Sequence, residues 1–554
     1  MARAERTYPN PREGASMIPN VTDSFDFIVV GAGSAGSALA GRLSESGRYT
    51  VLLVEAGPSD RSPLINVPLG CPYLYSNPKY NWMLEAEGEP RLDDRKRHQP
   101  AGRVLGGTSS INGMIYMRGN RADYDGWARM GCTGWSYAEV LPFFKRAERN
   151  LAFSDEFHGT EGPLVVSDQD PPSPLVVAVM EAYRQAGFPE TADFNGASQE
   201  GFGRYQFTIR NGRRHSAARA YLAPARRRAN LRILINAEVR RVLLQDRCAT
   251  GVEVVRQGRV EVYAARREIV LSGGAFQSPK ILQLSGIGPE GLLREKAVPV
   301  LHDLRGVGEN LHDHFWNVVL LRSTRPLTLN DVANSLPRKM RAIAQYAFGR
   351  GPLRASGMHV GSFVRSRAGL DRPDLQVQME AFGIESASHT GIRPYPFSAF
   401  SLSAVHLAPE SRGSVRIRSA DWRDKPIIRF NFLSHPSDLE TMVEGMRLAR
   451  GIARQPALAP FISAEILPGP AVASDEDLAA DIRARGAANL HAAGSCRMGV
   501  DAGAVVDPRL RVVGIEGLRV ADASVMPKVI AGNTNAPSIM IGEKAAEMIL
   551  QDAL

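Results

Sequence analysis

The sequence predicts an α/β fold joined to a second unit built on an antiparallel sheet, and three patterns say so. A short apolar run at residues 25–30 feeds straight into a glycine-rich turn and a helical segment. Residues 231–271 alternate apolar and polar side chains in short runs, as the strands of a β-meander do. Residues 373–433 alternate in the same way and lead into a helical pattern over 437–455.

Taken in order, Phe25, Phe27, Ile28, Val29 and Val30 make a run of the kind buried on both faces of a parallel sheet. Gly31, Gly33 and Gly36 follow at G-x-G-x-x-G spacing, residues 37–43 read as a helix, and residues 49–54 read as the next strand. That closes one βαβ unit. Gly31 permits the tight turn, Gly33 lets backbone N–H groups approach a pyrophosphate, and Gly36 lets helix and strand pack closely. The helix start, at Ser34 and Ala35, adds unpaired N–H groups and a partial positive charge. Glu55 ends the second strand 19 residues after Gly36, with Ala56 beside it, where a carboxylate accepts hydrogen bonds from ribose hydroxyls. Strand, glycines, helix, strand and acid in register predict a Rossmann-type dinucleotide-binding unit.

Residues 82–150 are rich in Gly, Arg and Asn, and few regular elements are expected there; 172–188 reads as a helix. A last strand at 518–521 precedes a last helix at about 537–550, with Pro537 in its first turn. Composition sets the outer limits. The chain has 554 residues, enough for several domains, and 44% hydrophobic with 23% charged residues excludes disorder as the main state. The net charge of +9 is a mild basic bias that does not call for nucleic acid. Four cysteines, Cys71, Cys132, Cys248 and Cys496, form no C-x-x-C pair, so neither a disulfide framework nor a zinc site is expected and a reducing, cytoplasmic setting is. The 1–24 segment is expected to be a flexible tail. It lacks an apolar signal core, and Met17 offers an alternative start. No apolar run is long enough for a spanning helix. For the basic runs at Arg226 to Arg228 and at Arg338, Lys339 and Arg341, a solvated helix face is the default and a peripheral contact with the inner face of the membrane is the minority reading.

Four separated segments narrow the reading: residues 101–119 (AGRVLGGTSSINGMIYMRG), 274–288 (GAFQSPKILQLSGIG), 491–499 (HAAGSCRMG) and 532–544 (GNTNAPSIMIGEK). On these the chain resembles, from about residue 25 to its end, the glucose–methanol–choline (GMC) family of FAD-dependent oxidoreductases, in its choline dehydrogenase-like branch. The resemblance implies a Rossmann-type FAD-binding domain with parallel sheet and β-meander over 25–330 and 481–554. It also implies a substrate-binding domain over 331–480, with an antiparallel sheet covered by helices. FAD is the implied cofactor. Arg103, Gly106, Gly107 and Thr108 would wrap its diphosphate, and Asn112, Gly113, Met114 and Ile115 would bring backbone amides to the flavin edge. Thr108, Ser109 and Ser110 stand where some members carry a flavin-linking histidine, so dissociable FAD is expected. Trp82 lines the cleft, Val239 meets the adenine, and Asp522, Ala523, Asn533, Thr534 and Asn535 complete the cofactor set from the C-terminal side.

By the same resemblance His491 is the catalytic base, since a histidine is largely neutral near pH 7 and free to take a hydroxyl proton. Asn535 is taken as its partner ahead of Asn533, and hydride passes to flavin N5. No metal site is expected: His312, Asp313, His314 and His302 lack further ligands at metal spacing. Cys496 is read as a small buried thiol rather than a nucleophile. His359 is placed where choline enzymes carry an acidic residue, which counts against choline; Met358, Phe363, Phe382 and Leu490 add apolar surface. A neutral primary alcohol, aliphatic or aryl, oxidised to its aldehyde is therefore the expected reaction, with O2, a quinone or a redox protein as electron acceptor. A choline dehydrogenase, a non-redox lyase on the same scaffold and a non-catalytic flavin binder are the alternatives. Oligomeric state has no signature in the chain.

Overall fold

The computed structural model describes residues 21–169, 172–388 and 391–553, with the backbone alone at 387–388. Most of the expected tail, residues 1–20, lies outside the described residues. Its last part is not a tail: Thr22 N–H donates to Val262 O (2.8 Å) and the first strand begins at Asp23.

The elements that carry the argument run as follows. β1 (Asp23–Val30) turns into α1 (Ser34–Leu43), and β2 (Val51–Val54) completes the crossover. β3 (Gly201–Arg204) and β4 (Leu231–Leu234) precede a meander of β5 (Ala237–Gln245), β6 (Cys248–Arg256) and β7 (Arg259–Leu271). Then come α2 (Gly274–Leu284), β8 (Phe315–Ser323), α3 (Leu336–Ala347), β9 (Met358–Val364), β10 (Leu375–Glu380) and β11 (Ala399–His406). α4 (Pro436–Ala453), β12 (Ile462–Leu467), β13 (Ala487–Ala488), β14 (Leu518–Val520) and α5 (Asn535–Asp552) end the chain.

The first sheet has the order β4–β2–β1–β7–β6–β5, with β14 added beside β7. β4, β2, β1, β7 and β14 are parallel neighbours, and β7, β6 and β5 are antiparallel. One long strand, β7, therefore serves both the parallel layer and the meander. The pieces lie hundreds of residues apart in sequence, yet the centre is fully apolar: Ile28, Val29, Leu52, Ile269 and Val520 are buried. α5 packs along α1 so closely that a Cβ on Gly542 would stand 2.4 Å from Ala35 O.

The second sheet, β12–β8–β11–β10–β9–β3 with β13 beside β8, is antiparallel throughout. It corrects the expected boundaries. β3, β8 and β13 lie outside 331–480, yet their backbones complete this sheet, because an antiparallel layer takes any strand whose free edge meets it. The sheet is also built differently on its two faces. Val377, Met379, Leu402 and Ala404 pack against Met442 and Met446 of α4. Gln378, Glu380 and Ser401 point the other way, although both strands are buried along their whole length. A buried polar face needs something polar opposite it.

Two helices within 82–150 escaped the sequence reading: Arg121–Arg129 and Tyr137–Ala147. Their signals are capping boxes, Asn120 with Asp123 and Ser136 with Glu139, followed by buried Tyr124, Trp127, Val140 and Phe144.

Candidate active site

Between the two sheets lies a cavity of about 850 Å³, lined from both. Its floor is the predicted glycine turn. Gly31, Gly33, Ser34, Ala35, Glu55 and Ala56 all face it. Gly36 does not. A Cβ there would meet Gly31 O at 1.9 Å, so its task is the close helix–strand packing read from the sequence. Glu55 Oε2 accepts the Ala32 N–H (2.9 Å) and Oε1 the Gly57 N–H (2.8 Å), which fixes the carboxylate at the strand end. Burial pushes its pKa up to about 7 against those hydrogen bonds.

The loop after residue 101 closes over this turn. Gly107, Thr108, Asn112, Gly113, Met114 and Ile115 line the cavity, together with Trp82 and Val239. A Cβ on Gly107 (φ +52°) would come within 2.7 Å of Gly33 Cα, so two backbones meet with no room for a side chain. Gly106 (φ +89°) anchors the loop through N–H to Ala32 O (2.8 Å) and stays off the cavity wall. Arg103 is likewise off it, with its guanidinium 5.2 Å above the Trp82 ring and 3.5 Å from Glu238. The Asn112 amide oxygen is committed: Oδ1 accepts from Met114 N–H (3.1 Å) and from Arg214 Nη1 (2.8 Å).

The C-terminal segments form the opposite wall: Asp522, Ala523, Asn533, Thr534 and Asn535. Asp522 accepts from Gly274 N–H (2.8 Å) and Ser278 Oγ (2.6 Å), tying the start of α2 to this wall. Ser34 Oγ donates to Asn535 Oδ1 (2.8 Å), so the N-termini of α1 and α5 converge on one spot and give it a shared positive end. Asn535 is thereby spent on the helix junction. The residue beside the histidine is Asn533, whose Nδ2 lies 2.9 Å from His491 Nε2 and whose buried Oδ1 has no partner. Of the two asparagines, the one ranked second in the sequence is the one in contact with His491. Both line the cavity, but Asn535 opens α5 with its Oδ1 taken by Ser34, whereas Asn533 belongs to the preceding loop and reaches His491.

His491 is held from three sides. Its backbone N–H donates to Asp313 Oδ1 (2.8 Å), and Leu490 before it takes a left-handed φ of +65° that turns the ring inward. Its Nδ1 lies 3.0 Å from Nδ1 of His314, the rings standing at 78°. The Asn533 amide at Nε2 favours the imidazole proton on Nδ1, toward His314, whereas the longer Asn489 Nδ2 contact at Nδ1 (3.4 Å) favours the other tautomer. Burial lowers the His491 pKa to about 4, so the ring is neutral. His314 was passed over in the sequence because it stands inside His-Asp-His, which reads first as a metal question. His312 faces away, accepting Val529 N–H on Nε2 (2.8 Å), and His302 meets Val513 O (2.9 Å).

Gln378, Glu380 and Ser401 form the polar wall that faces this cavity from the antiparallel sheet, among Trp316, Met358 and Phe382. Ser401 Oγ donates to Glu380 Oε2 (2.7 Å) and Gln378 Nε2 to Oε1 (3.2 Å). Burial raises the Glu380 pKa, and no cationic side chain acts on it. His359 lies off the cavity wall, and Phe363 is buried against Phe194 (5.1 Å). The pocket thus carries an acidic residue, supplied by β10 rather than β9. The period-2 alternation of β10 and β11 held that signal.

A glycine cradle with no space for side chains, a fixed carboxylate, two converging helix N-termini and a buried neutral imidazole across one cavity define a dinucleotide-dependent oxidoreductase. The GMC oxidoreductase family signatures match residues 25–316 (N-terminal) and 409–542 (C-terminal). The chain is 42% identical to an oxygen-dependent choline dehydrogenase of Brucella suis biovar 1 and 44% identical to one of Rhizobium johnstonii, each over 95% of both chains. Among solved structures it is similar to pyridoxine 4-oxidase from Mesorbium loti (TM-score 0.86, 33% identity, 94% of this chain and 98% of that one). It is also similar to an arginine-to-lysine variant of formate oxidase from Aspergillus oryzae RIB40 (TM-score 0.90, 27% identity, 96% and 98%). The chain belongs to the GMC oxidoreductase family. It is an FAD-dependent alcohol oxidoreductase. The residues present fit that cofactor: Glu55 for ribose hydroxyls, the turn at Gly31 and Gly33 with the α1 and α5 N-termini for the diphosphate, and the backbone from Asn112 to Ile115 for the ring.

Proposed function

We propose that the protein oxidises the CH–OH group of a primary alcohol to an aldehyde, with His491 as base and Asn533 as the group that holds the substrate oxygen. Bound FAD supplies the two-electron acceptor for the hydrogen of the carbinol carbon. The observation that carries the reading is the 2.9 Å contact between Asn533 Nδ2 and His491 Nε2 on the cavity wall, with Asn533 Oδ1 unpartnered beside it. An alcohol oxygen entering between the two side chains receives the Nδ2–H bond and gives its own proton to Nε2. His314 keeps the other imidazole nitrogen in the proton-bearing form, so the acceptor pair stays on the cavity side.

The substrate tail meets Gln378, Glu380 and Ser401. A buried carboxylate lacking a cationic partner favours an alcohol that carries a positive or hydrogen-donating group, and Trp316 beside it offers a ring face to a cation. Choline, on which the named relatives act, is the second reading, and Glu380 is the observation that favours it. The four cysteines are free thiols, which supports a reducing compartment. Anaerobic stopped-flow flavin reduction with neutral primary alcohols, amino alcohols and choline, followed by mixing with O2 or a quinone, tests substrate and acceptor together. Substrate-independent retention of the oxidised flavin spectrum across the whole panel would sink the reading. Glu380→Gln should lower the preference for the ammonium-bearing alcohols and leave neutral alcohols unaffected.

A further inference from the structure

α3 presents its apolar stripe to solvent. Leu336, Met340 and Ile343, at i, i+4 and i+7, are 71%, 58% and 54% exposed, and Phe348 just beyond the helix is 83% exposed. Only Ala342 of this helix is buried. The flanks are basic: Arg338, Lys339, Arg341 and Arg350 are all exposed, and residues 336–350 contain no Asp or Glu. Scattered exposed apolar residues are normal on a protein surface, but four within 13 residues on one element are not. The patch continues toward the cavity. The turn Pro352–Arg354 packs on α3 and on the turn Pro68–Gly70, where the segment bearing exposed Tyr73 (62%) begins. Cys71, Pro72, Tyr75 and Ser76 of that segment line the cavity, so Tyr73 stands on its rim.

We propose that α3, with Phe348 and the Tyr73 rim, docks this enzyme on an anionic lipid surface, so that the cavity rim lies at the membrane. The helix has what an interfacial helix needs: an apolar face to enter the headgroup boundary and basic side chains, without acids, to meet the lipid phosphates. A second copy of the chain is the poorer occupant. A two-fold contact through α3 would set Lys339 and Arg341 against their own copies, with no carboxylate on the helix to receive them. No helix among the described residues is long and apolar enough to cross a membrane, so the contact proposed is one of lying on the surface. It stands whichever alcohol is oxidised.

The test is sedimentation of the FAD-loaded full chain with phosphatidylcholine vesicles, with and without phosphatidylglycerol. The parent protein should pellet with the anionic vesicles, weakly with the neutral ones, and less as salt rises. Met340→Glu with Ile343→Glu, and separately Lys339→Glu with Arg341→Glu, should each weaken binding at least about tenfold. Flavin content and alcohol-driven flavin reduction serve as the folding control and should be unchanged, since these side chains are exposed and far from His491 in the chain. A parent protein that stays in the supernatant overturns the proposal. So do variants that bind like the parent, or variants that convert a dimer to a monomer without altering lipid binding.

Discussion

Replacing Asn533 and Asn535 separately by alanine tests the site at the point where two candidates of identical chemistry compete. Asn533→Ala removes the donor 2.9 Å from His491 Nε2. The buried imidazole then faces the substrate oxygen without a second group to hold it. An interaction of this kind is worth about 1–3 kcal/mol. At about 1.4 kcal/mol per tenfold, the limiting rate of flavin reduction should fall by roughly 5- to 150-fold. Asn535→Ala removes a different bond, that from Ser34 Oγ at 2.8 Å, where α1 and α5 meet. The loss there is on the order of 1 kcal/mol and falls on cofactor retention, so FAD should be held about fivefold less tightly. Once saturated with FAD, that variant should reduce within about threefold of the parent rate. Anaerobic stopped-flow reduction gives the first quantity and fluorescence titration with free FAD the second. If Asn535→Ala proved the slower variant in reduction while Asn533→Ala lost cofactor, the assignment of roles would be refuted.

Two further outcomes depend on pH. Burial holds the His491 pKa at about 4, and the neutral ring is the active form. Flavin reduction should therefore stay flat from about pH 8 to about pH 5 and fall below that; a midpoint near 6.5, the ordinary histidine value, would contradict the buried, neutral base. His158 goes the other way. Burial opposes its charge, but hydrogen bonds to Asp193 (2.8 Å) and Glu148 (3.2 Å) outweigh it and raise the pKa to about 9. A raised folded-state value stabilises fully below about 6.5 and is lost as pH rises through about 9, so thermal stability should decline across that window by about 3 kcal/mol. His158→Gln should flatten this slope; an unchanged pH dependence of Tm in that variant would remove His158 as its source.

The βαβ cradle was legible because its physics is local. Gly31, Gly33, Gly36 and Glu55 lie within 25 residues, and each is required by a turn, a close approach or a strand end that neighbouring sequence announces. His491 was legible only through family resemblance, since nothing in its own neighbourhood says that it faces a cavity. The helices at 121–129 and 137–147 were present in the pattern as capping boxes, and the density of Arg and Gly around them hid the signal.

By itself the sequence determined the dinucleotide cradle, the meander, the family and therefore the chemistry, since turn geometry and strand alternation are written over a few residues. Tertiary structure alone decided that Asn533 and not Asn535 meets His491, that His314 stands behind that ring, that Glu380 lies on the cavity wall and that β3, β8 and β13 complete the antiparallel sheet. Those outcomes rest on contacts between segments up to hundreds of residues apart. A difference of two positions at the start of a helix decides whether an asparagine meets His491 or Ser34, and no local pattern records which partner it will find.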